Sequence, residues 1–229
     1  MRARWFTTIA VLVITGGIAW QAHAGLQTEV FATGFNRPVL AISPPNDIER
    51  LFHVCDLELG CPTAFVNNAG ILEKQSRLED LTAERLDRLF ATNVRGAFLC
   101  AREAVRYMST KHGGTGGAIV NVSSIASRLG SPNEYIDYAA TKGAMDTMTI
   151  GLAQEVAGEG IRVNAVRPGI IETEIHASGG EPGRVQRIGP SMPLGRGGTA
   201  EEVAEAILWL ASDKSSYSTG IFIDVGGGR

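Results

Sequence analysis

Tyr138 and Lys142 stand four residues apart in the run Tyr138-Ala139-Ala140-Thr141-Lys142. On a helix that spacing puts both side chains on one face, about one turn apart. A phenol beside an ammonium is an acid/base device. The positive charge favours phenolate and draws the tyrosine pKa down from its unperturbed value near ~10. A tyrosine tuned in this way exchanges a proton with an alcohol near neutral pH. Upstream, Ser124 closes the run Asn121-Val122-Ser123-Ser124, where a hydroxyl at a strand end can point into a cleft. Alone, the Tyr/Lys spacing is that of an ordinary surface helix.

Its companions change the weighing. They are Val66-Asn67-Asn68-Ala69-Gly70, Asn93 in Ala91-Thr92-Asn93-Val94, and Arg167-Pro168-Gly169 followed by Ile171 and Thr173. In this order and spacing the stretch 59–229 resembles the second half of a short-chain dehydrogenase/reductase. The resemblance implies an NAD- or NADP-dependent hydride transfer between a small-molecule alcohol and a carbonyl. It makes Tyr138 the general acid/base and Ser124 the residue that hydrogen-bonds the substrate oxygen. Lys142 holds the nicotinamide ribose and tunes the tyrosine, and Asn93 positions a relay water. The loop from Ser124 to Tyr138 is one residue longer than the commonest family spacing, which leaves Ser123 as the other candidate. Asn67, Ala69 and Gly70 fall under the adenosine side of the cofactor. Pro168, Gly169, Ile171 and Thr173 turn over its nicotinamide, with Tyr138 and Lys142 completing the set.

These residues need a scaffold of alternating strands and helices. Buried strands are expected over 63–66, 118–122, 161–166 and 221–225. A long helix is expected over 82–112, with Leu86, Phe90, Val94, Ala97, Ala101 and Val105 as its apolar stripe and Asn93 beside it. A second helix runs over 138–156. Thr199-Ala200-Glu201-Glu202 reads as a capping box opening a third. The run 113–117 precedes a strand rather than a helix, so it is a connector and not a phosphate loop. Residues 176–198, rich in Gly and Pro, read as a substrate-covering flap. Phe98, Leu99, Met145 and Met148 are the expected contacts of a homo-oligomer, since in the family these two helices pair with their copies.

The chain of 229 residues is 44% hydrophobic with a net charge of −3, which suffices for one sizeable core and gives no electrostatic reason to bind nucleic acid. Its cysteines, Cys55, Cys61 and Cys100, lack paired spacing, and the histidines are scattered, so neither a disulfide framework nor a metal site is expected.

The N-terminus reads differently. A basic start, an apolar run over 6–20 and Ala22-His23-Ala24 before Gly25 have the form of a secretory signal, residues 1–24. Val11 to Gly17 also resembles the first strand and opening glycines of a dinucleotide fold, but Trp20 stands where a further glycine is needed, so the signal reading is preferred. Residues 25–58 read as an extended arm, similar to the first strands of secreted quinoprotein sugar dehydrogenases, with a turn at 44–47. The front half of the nucleotide fold is then missing, and the join falls between His53 and Leu59.

The expected architecture is therefore α/β: a partial Rossmann-like parallel sheet flanked by helices, behind a signal-like segment and an arm, with the catalytic domain at 59–229. A real signal makes the product exported or periplasmic, and a fused N-terminus leaves it cytoplasmic. The expected function is an oxidoreductase. The competing reading is an inactive fusion or truncated product that lacks the dinucleotide cradle and acts at most as an interaction module.

Overall fold

A computed structural model describes Val11–Ile14 and residues 45–229. Among the described residues five parallel strands form one sheet: β1 (Val11–Ile14), β2 (Ala64–Asn67), β3 (Gly117–Val122), β4 (Ile161–Pro168) and β5 (Phe222–Val225), in the spatial order of the chain. Parallel neighbours require crossover connections, and helices supply them. These are α1 (Pro45–Leu59), α2 (Ala83–Phe90) with α3 (Ala97–Met108), α5 (Ile136–Val156) and α8 (Ala200–Ala211). Short helices α4 (Ala126–Leu129), α6 (Ile175–Ser178) and α7 (Arg184–Ile188) sit in the loops.

Side chains alternate across the sheet, as the period of two requires. Phe65, Ile119 and Val163 face a core shared with Ile48, Phe52 and Cys55 of α1, Cys100, Ala104 and Met108 of α3, and Ala153 and Val156 of α5. Val120 and Val166 face the opposite side, against Val203 and Leu210 of α8. The sheet keeps stepping in one direction while α8 changes face. Its crossover therefore has the opposite hand to the one through α5, an exception to the strong right-handed preference.

The N-terminal expectations are corrected here. Val11–Ile14 is a strand, paired in register with Ala64–Asn67. The apolar run read as a signal core thus contributes to the sheet, and the outer side of β2 has a neighbour. Residues 45–59, read as arm and join, form the continuous helix α1. Proline suits its first turn, where no helical N–H bond is lost. Ile48, Leu51, Phe52 and Cys55 follow the i, i+3, i+4, i+7 pattern, and Ile48, Phe52 and Cys55 are buried. The Phe52 ring meets Phe65 edge-on at 5.5 Å and Tyr107 at 5.8 Å. Helical periodicity was present in this stretch, and the helix runs unbroken through both the proposed join and the boundary at 58/59. The turn expected at 44–47 is overridden at Pro45, Asn46 and Asp47. The opening glycines Gly16 and Gly17, and residues 25–44 of the expected arm, lie outside the described residues.

The other elements follow expectation, with one displacement. The long helix is interrupted by a π-helical turn, Ala91–Gly96. That insertion rotates the apolar stripe, so Leu89, Asn93, Ala97, Cys100, Ala104 and Met108 are buried while Phe90 is exposed. Asn93 lies on the buried stripe, not beside it. The capping box at Thr199 and Glu202 forms in both directions. Met145 and Met148 pack within the chain against Ala97 and Ala101, so of the four expected contact residues only Phe98 is exposed. Among the described residues no helix is long and apolar enough to cross a membrane.

Candidate active site

All five strands are parallel, so their C-terminal ends share one edge of the sheet. The chemistry-bearing residues gather at that edge. Gly70 follows β2, Ser123 and Ser124 follow β3, and Pro168 and Gly169 fall at the end of β4. The α5 helix crosses behind them and carries Tyr138 and Lys142 on one face.

Lys142 is buried, 5% exposed, and donates to the Val122 carbonyl at 2.7 Å. Its ammonium lies 5.6 Å from the centroid of the Tyr138 ring. Burial outweighs the neighbouring charge of Asp146 and lowers the lysine to about 8. Tyr138 moves the other way. Burial pushes its phenol up to about 12, opposed by a hydrogen bond with Ser124. The expectation of a phenol drawn below its ordinary value is therefore corrected: removing the phenolate from water costs more than its neighbours return. At neutral pH the tyrosine stays protonated, and the lysine is poised close to its own titration.

The two serines separate cleanly. Ser123 is buried and donates to Asp146 Oδ1 at 2.6 Å. Ser124 is only half-buried. Its hydroxyl donates to the Pro168 carbonyl at 3.4 Å, accepts from Ala126 N–H at 3.1 Å, and is near enough to the Tyr138 phenol to favour the phenolate. Ser124 is thus the serine beside the phenol.

Asn93 reaches the site because the π turn aims it there. Its amide clamps the chain after β2, donating to the Ile71 carbonyl at 2.9 Å and accepting from Ile71 N–H at 2.8 Å. It also donates to Thr141 Oγ1 at 3.2 Å, one residue from Lys142. A Cβ built on Gly70 would stand 3.5 Å from Asn93 Oδ1 and 3.6 Å from Lys142 Nζ, so the glycine places bare backbone against both groups.

The other expected residues take varied positions. The Asn67 amide is buried and donates to the Ala97 carbonyl and to Asn121 Oδ1, both at 3.1 Å. Asn121 continues the chain to Thr149 Oγ1 at 2.9 Å. Asn67 therefore ties β2 to β3 and to the helices behind, rather than facing the cleft edge. Ala69 packs against the larger core. Gly169 allows the turn after β4 to approach the C-terminal loop, since a Cβ there would lie 2.8 Å from Gly226 Cα. The Ile171 carbonyl accepts from His176 Nε2 at 2.9 Å, which fixes the proton on that nitrogen. Thr173 is exposed.

Residues missed by sequence reasoning hold the site in place. Arg85 of α2 grips Asp137 with two hydrogen bonds, at 2.7 and 3.3 Å, and Asp137 in turn accepts from Tyr138 N–H at 2.9 Å. Fifty-two positions separate Arg85 from Asp137, so no local pattern could reveal the pair. Arg184 of the flap is buried, bonds Glu134 and Glu181, and stacks 5.1 Å from the Tyr135 ring. Asp146 pairs with Arg167 at 2.9 Å and stands one turn beyond Lys142, a spacing that could have drawn notice.

A tyrosine, a serine and a buried lysine stand together at the C-terminal edge of a parallel sheet. Residues 14–229 match the family model described as enoyl-(acyl carrier protein) reductase. The chain belongs to the short-chain dehydrogenase/reductase family. It is 62% identical over 188 residues to an uncharacterised oxidoreductase of Escherichia coli, YgfF, covering 82% of this chain and 76% of that one. A 3-oxoacyl-[acyl-carrier-protein] reductase of Thermotoga maritima is 39% identical over 190 residues, covering 83% and 75%. In three dimensions the fold is similar to a 3-ketoacyl-(acyl-carrier-protein) reductase from Brucella melitensis complexed with NADH. There the TM-score is 0.74 at 32% identity, with 81% and 74% coverage. The family match begins at residue 14 and so includes 25–54. The propeller resemblance of that stretch gains no support from the comparisons, nor does the reading of the chain as a fusion.

Proposed function

We propose that this oxidoreductase reduces a small-molecule carbonyl to an alcohol with a nicotinamide cofactor, and that Tyr138 supplies the proton. The observation that carries this reading is the Tyr138 phenol, beside the buried Lys142 ammonium and at the strand end that carries Ser124. A phenol pushed up to about 12 is an acid at neutral pH, ready to protonate an oxygen that gains negative charge. Ser124 donates a second hydrogen bond to the same oxygen, and such aimed donors stabilise charge that develops only in the transition state.

The residues present fit the cofactor. Lys142 uses one hydrogen bond on Val122, and an ammonium has three donors, so two suit a ribose diol. Gly70 presents backbone beside it. Pro168, Gly169, Ile171 and Thr173 would border the nicotinamide, and the turn after Asn67 the adenosine side. The cofactor supplies the hydride when bound. The protein binds and orients both partners, and holds the proton on the Tyr138 oxygen. Asn93, locked to Ile71 and Thr141, shapes the wall behind Lys142 and offers the site for a relay water.

The test is a turnover assay of the full chain with NADH and NADPH against a panel of ketones and aldehydes. Cofactor-dependent reduction is expected with at least one of them, and its loss in Tyr138→Phe. A folded protein that binds neither cofactor overturns the proposal.

A further inference from the structure

One carboxylate joins the three segments that carry the site. Asp146 lies on α5, one turn beyond Lys142. Its Oδ1 accepts from Ser123 Oγ at 2.6 Å, and Ser123 is the neighbour of Ser124. Its Oδ2 accepts from Arg167 Nε at 3.0 Å and from the terminal nitrogen at 2.9 Å, and Arg167 is the neighbour of Pro168. Both ionic side chains are nearly out of water, at 13% and 15% exposure for Asp146 and Arg167, so their interaction is screened far less than a surface pair. Arg167 is held in turn by the Phe222 ring, 3.7 Å from its guanidinium, and by Asp224 at 3.6 Å. The same Ser123 hydroxyl lies 3.2 Å from the Lys142 carbonyl, which closes the loop on the helix itself.

We propose that Asp146 is a positioning residue: it locks α5 to the ends of β3 and β4 and sets the electrostatic field at the Lys142 ammonium. The inference rests on the role given to Lys142 above. Among the described residues the charged and titratable groups around that ammonium are few. Tyr138 and Asp146 share its helix. Arg167 comes from β4, Asp224 from β5 with Arg128 of α4 bound to it, and Arg85 from α2, already paired to Asp137. Of these, Asp146 is the carboxylate that supports the ammonium against its burial. Arg167, bonded to the same carboxylate, carries a charge of the same sign as the lysine's.

Two substitutions must therefore act in opposite directions. In Asp146→Asn the favourable charge is gone and Lys142 should lose its proton at lower pH. In Arg167→Met the opposing charge is gone and Lys142 should hold its proton to higher pH. Both are read as displacements of the Lys142 titration midpoint, downward in the first and upward in the second. The full chain, isotope-labelled at lysine Cε, is titrated by NMR, with the Lys142 signal assigned as the one lost in Lys142→Arg. Asp146→Glu should restore most of the parent behaviour, and the alkaline fall of kcat/KM for carbonyl reduction should follow the same shifts. A purely structural brace would weaken both variants without moving the lysine in opposite senses. Folded variants whose Lys142 titrates like the parent, or moves the same way in both, overturn the proposal. Should Asp146→Asn not fold, the upward shift in Arg167→Met decides alone. The titration needs no turnover, so absence of carbonyl reduction would sink the functional reading and leave this result standing.

Discussion

Helices α1 and α5 pack against the same face of the sheet but do different things. α1 buries Ile48, Phe52 and Cys55 along one stripe, and its Asp47, Glu49, Arg50 and His53 are exposed. α5 buries Asp137, Thr141, Lys142 and Thr149, each with a named partner, among small and apolar residues. A stripe of hydrocarbon is held by non-directional contacts, and trimming it costs the transfer of the atoms removed plus the cavity left behind. Buried polar groups tolerate little, because each must find its partner or lose the full desolvation term. One helix holds the fold together, and the other gives groups definite positions.

The sharpest way to test that contrast is to remove the proton donor. Tyr138→Phe should lower kcat/KM by about 10²–10⁴-fold, the usual contribution of a positioned acid, with little change in Tm. A steady-state assay beside a thermal melt checks both halves. On α1, Phe52→Ala should cost about 3–5 kcal/mol of stability, since the ring is fully buried against Phe65. Denaturant unfolding measures it, and the pH profile of the surviving folded enzyme should not move.

Lys142→Met draws the line between the helices from another side. The lysine titrates lower in the fold than its ordinary 10.5, so its burial opposes folding wherever the ammonium is charged. Turnover should vanish while stability at neutral pH rises by about 1 kcal/mol or more. That gain should shrink as pH climbs from about 8 towards 10.5, because the parent then sheds the proton it holds at a cost. Urea melts at two pH values check the sign. The smallest effect is expected at Leu57 on the outer face of α1, 69% exposed, where Leu57→Ser should change stability by no more than about 0.5 kcal/mol.

The same contrast explains what the sequence revealed. The site was legible because its groups are chemically rare combinations at short spacings: a phenol and an ammonium one turn apart, two serines at a strand end, a Pro-Gly turn. The four strands from β2 onward were legible as buried apolar runs bounded by turns. What stayed hidden falls into two kinds. Arg85 with Asp137, and Arg184 with Glu134, meet only because the fold brings distant segments together. The tyrosine's rise also depended on burial, which spacing does not show. The first strand and α1 were hidden differently. Val11–Ile14 carries the composition shared by a signal core and a parallel strand, and only its pairing with β2 separates the two. The α1 stripe was plain at Ile48, Leu51, Phe52 and Cys55, but the Pro45-Asn46-Asp47 opening read as a turn although it equally suits a first helical turn.

The π turn at Ala91–Gly96 has a further consequence for chain length. An ordinary helix advances about 100° per residue, and a π turn takes up one residue more than an α turn. Deleting a single residue there would turn the π turn into an α turn, and the segments on either side would keep nearly their present relative orientation. The core stripe Cys100–Met108 would stay where it is, and the group at risk would be the Asn93 amide that clamps Ile71. The same deletion within Ala97–Met108 would swing the two sides by about 100° and take the stripe out of the core. A change in residue count should therefore be borne at the π turn by the fold, at the expense of the clamp, and not be borne beyond it.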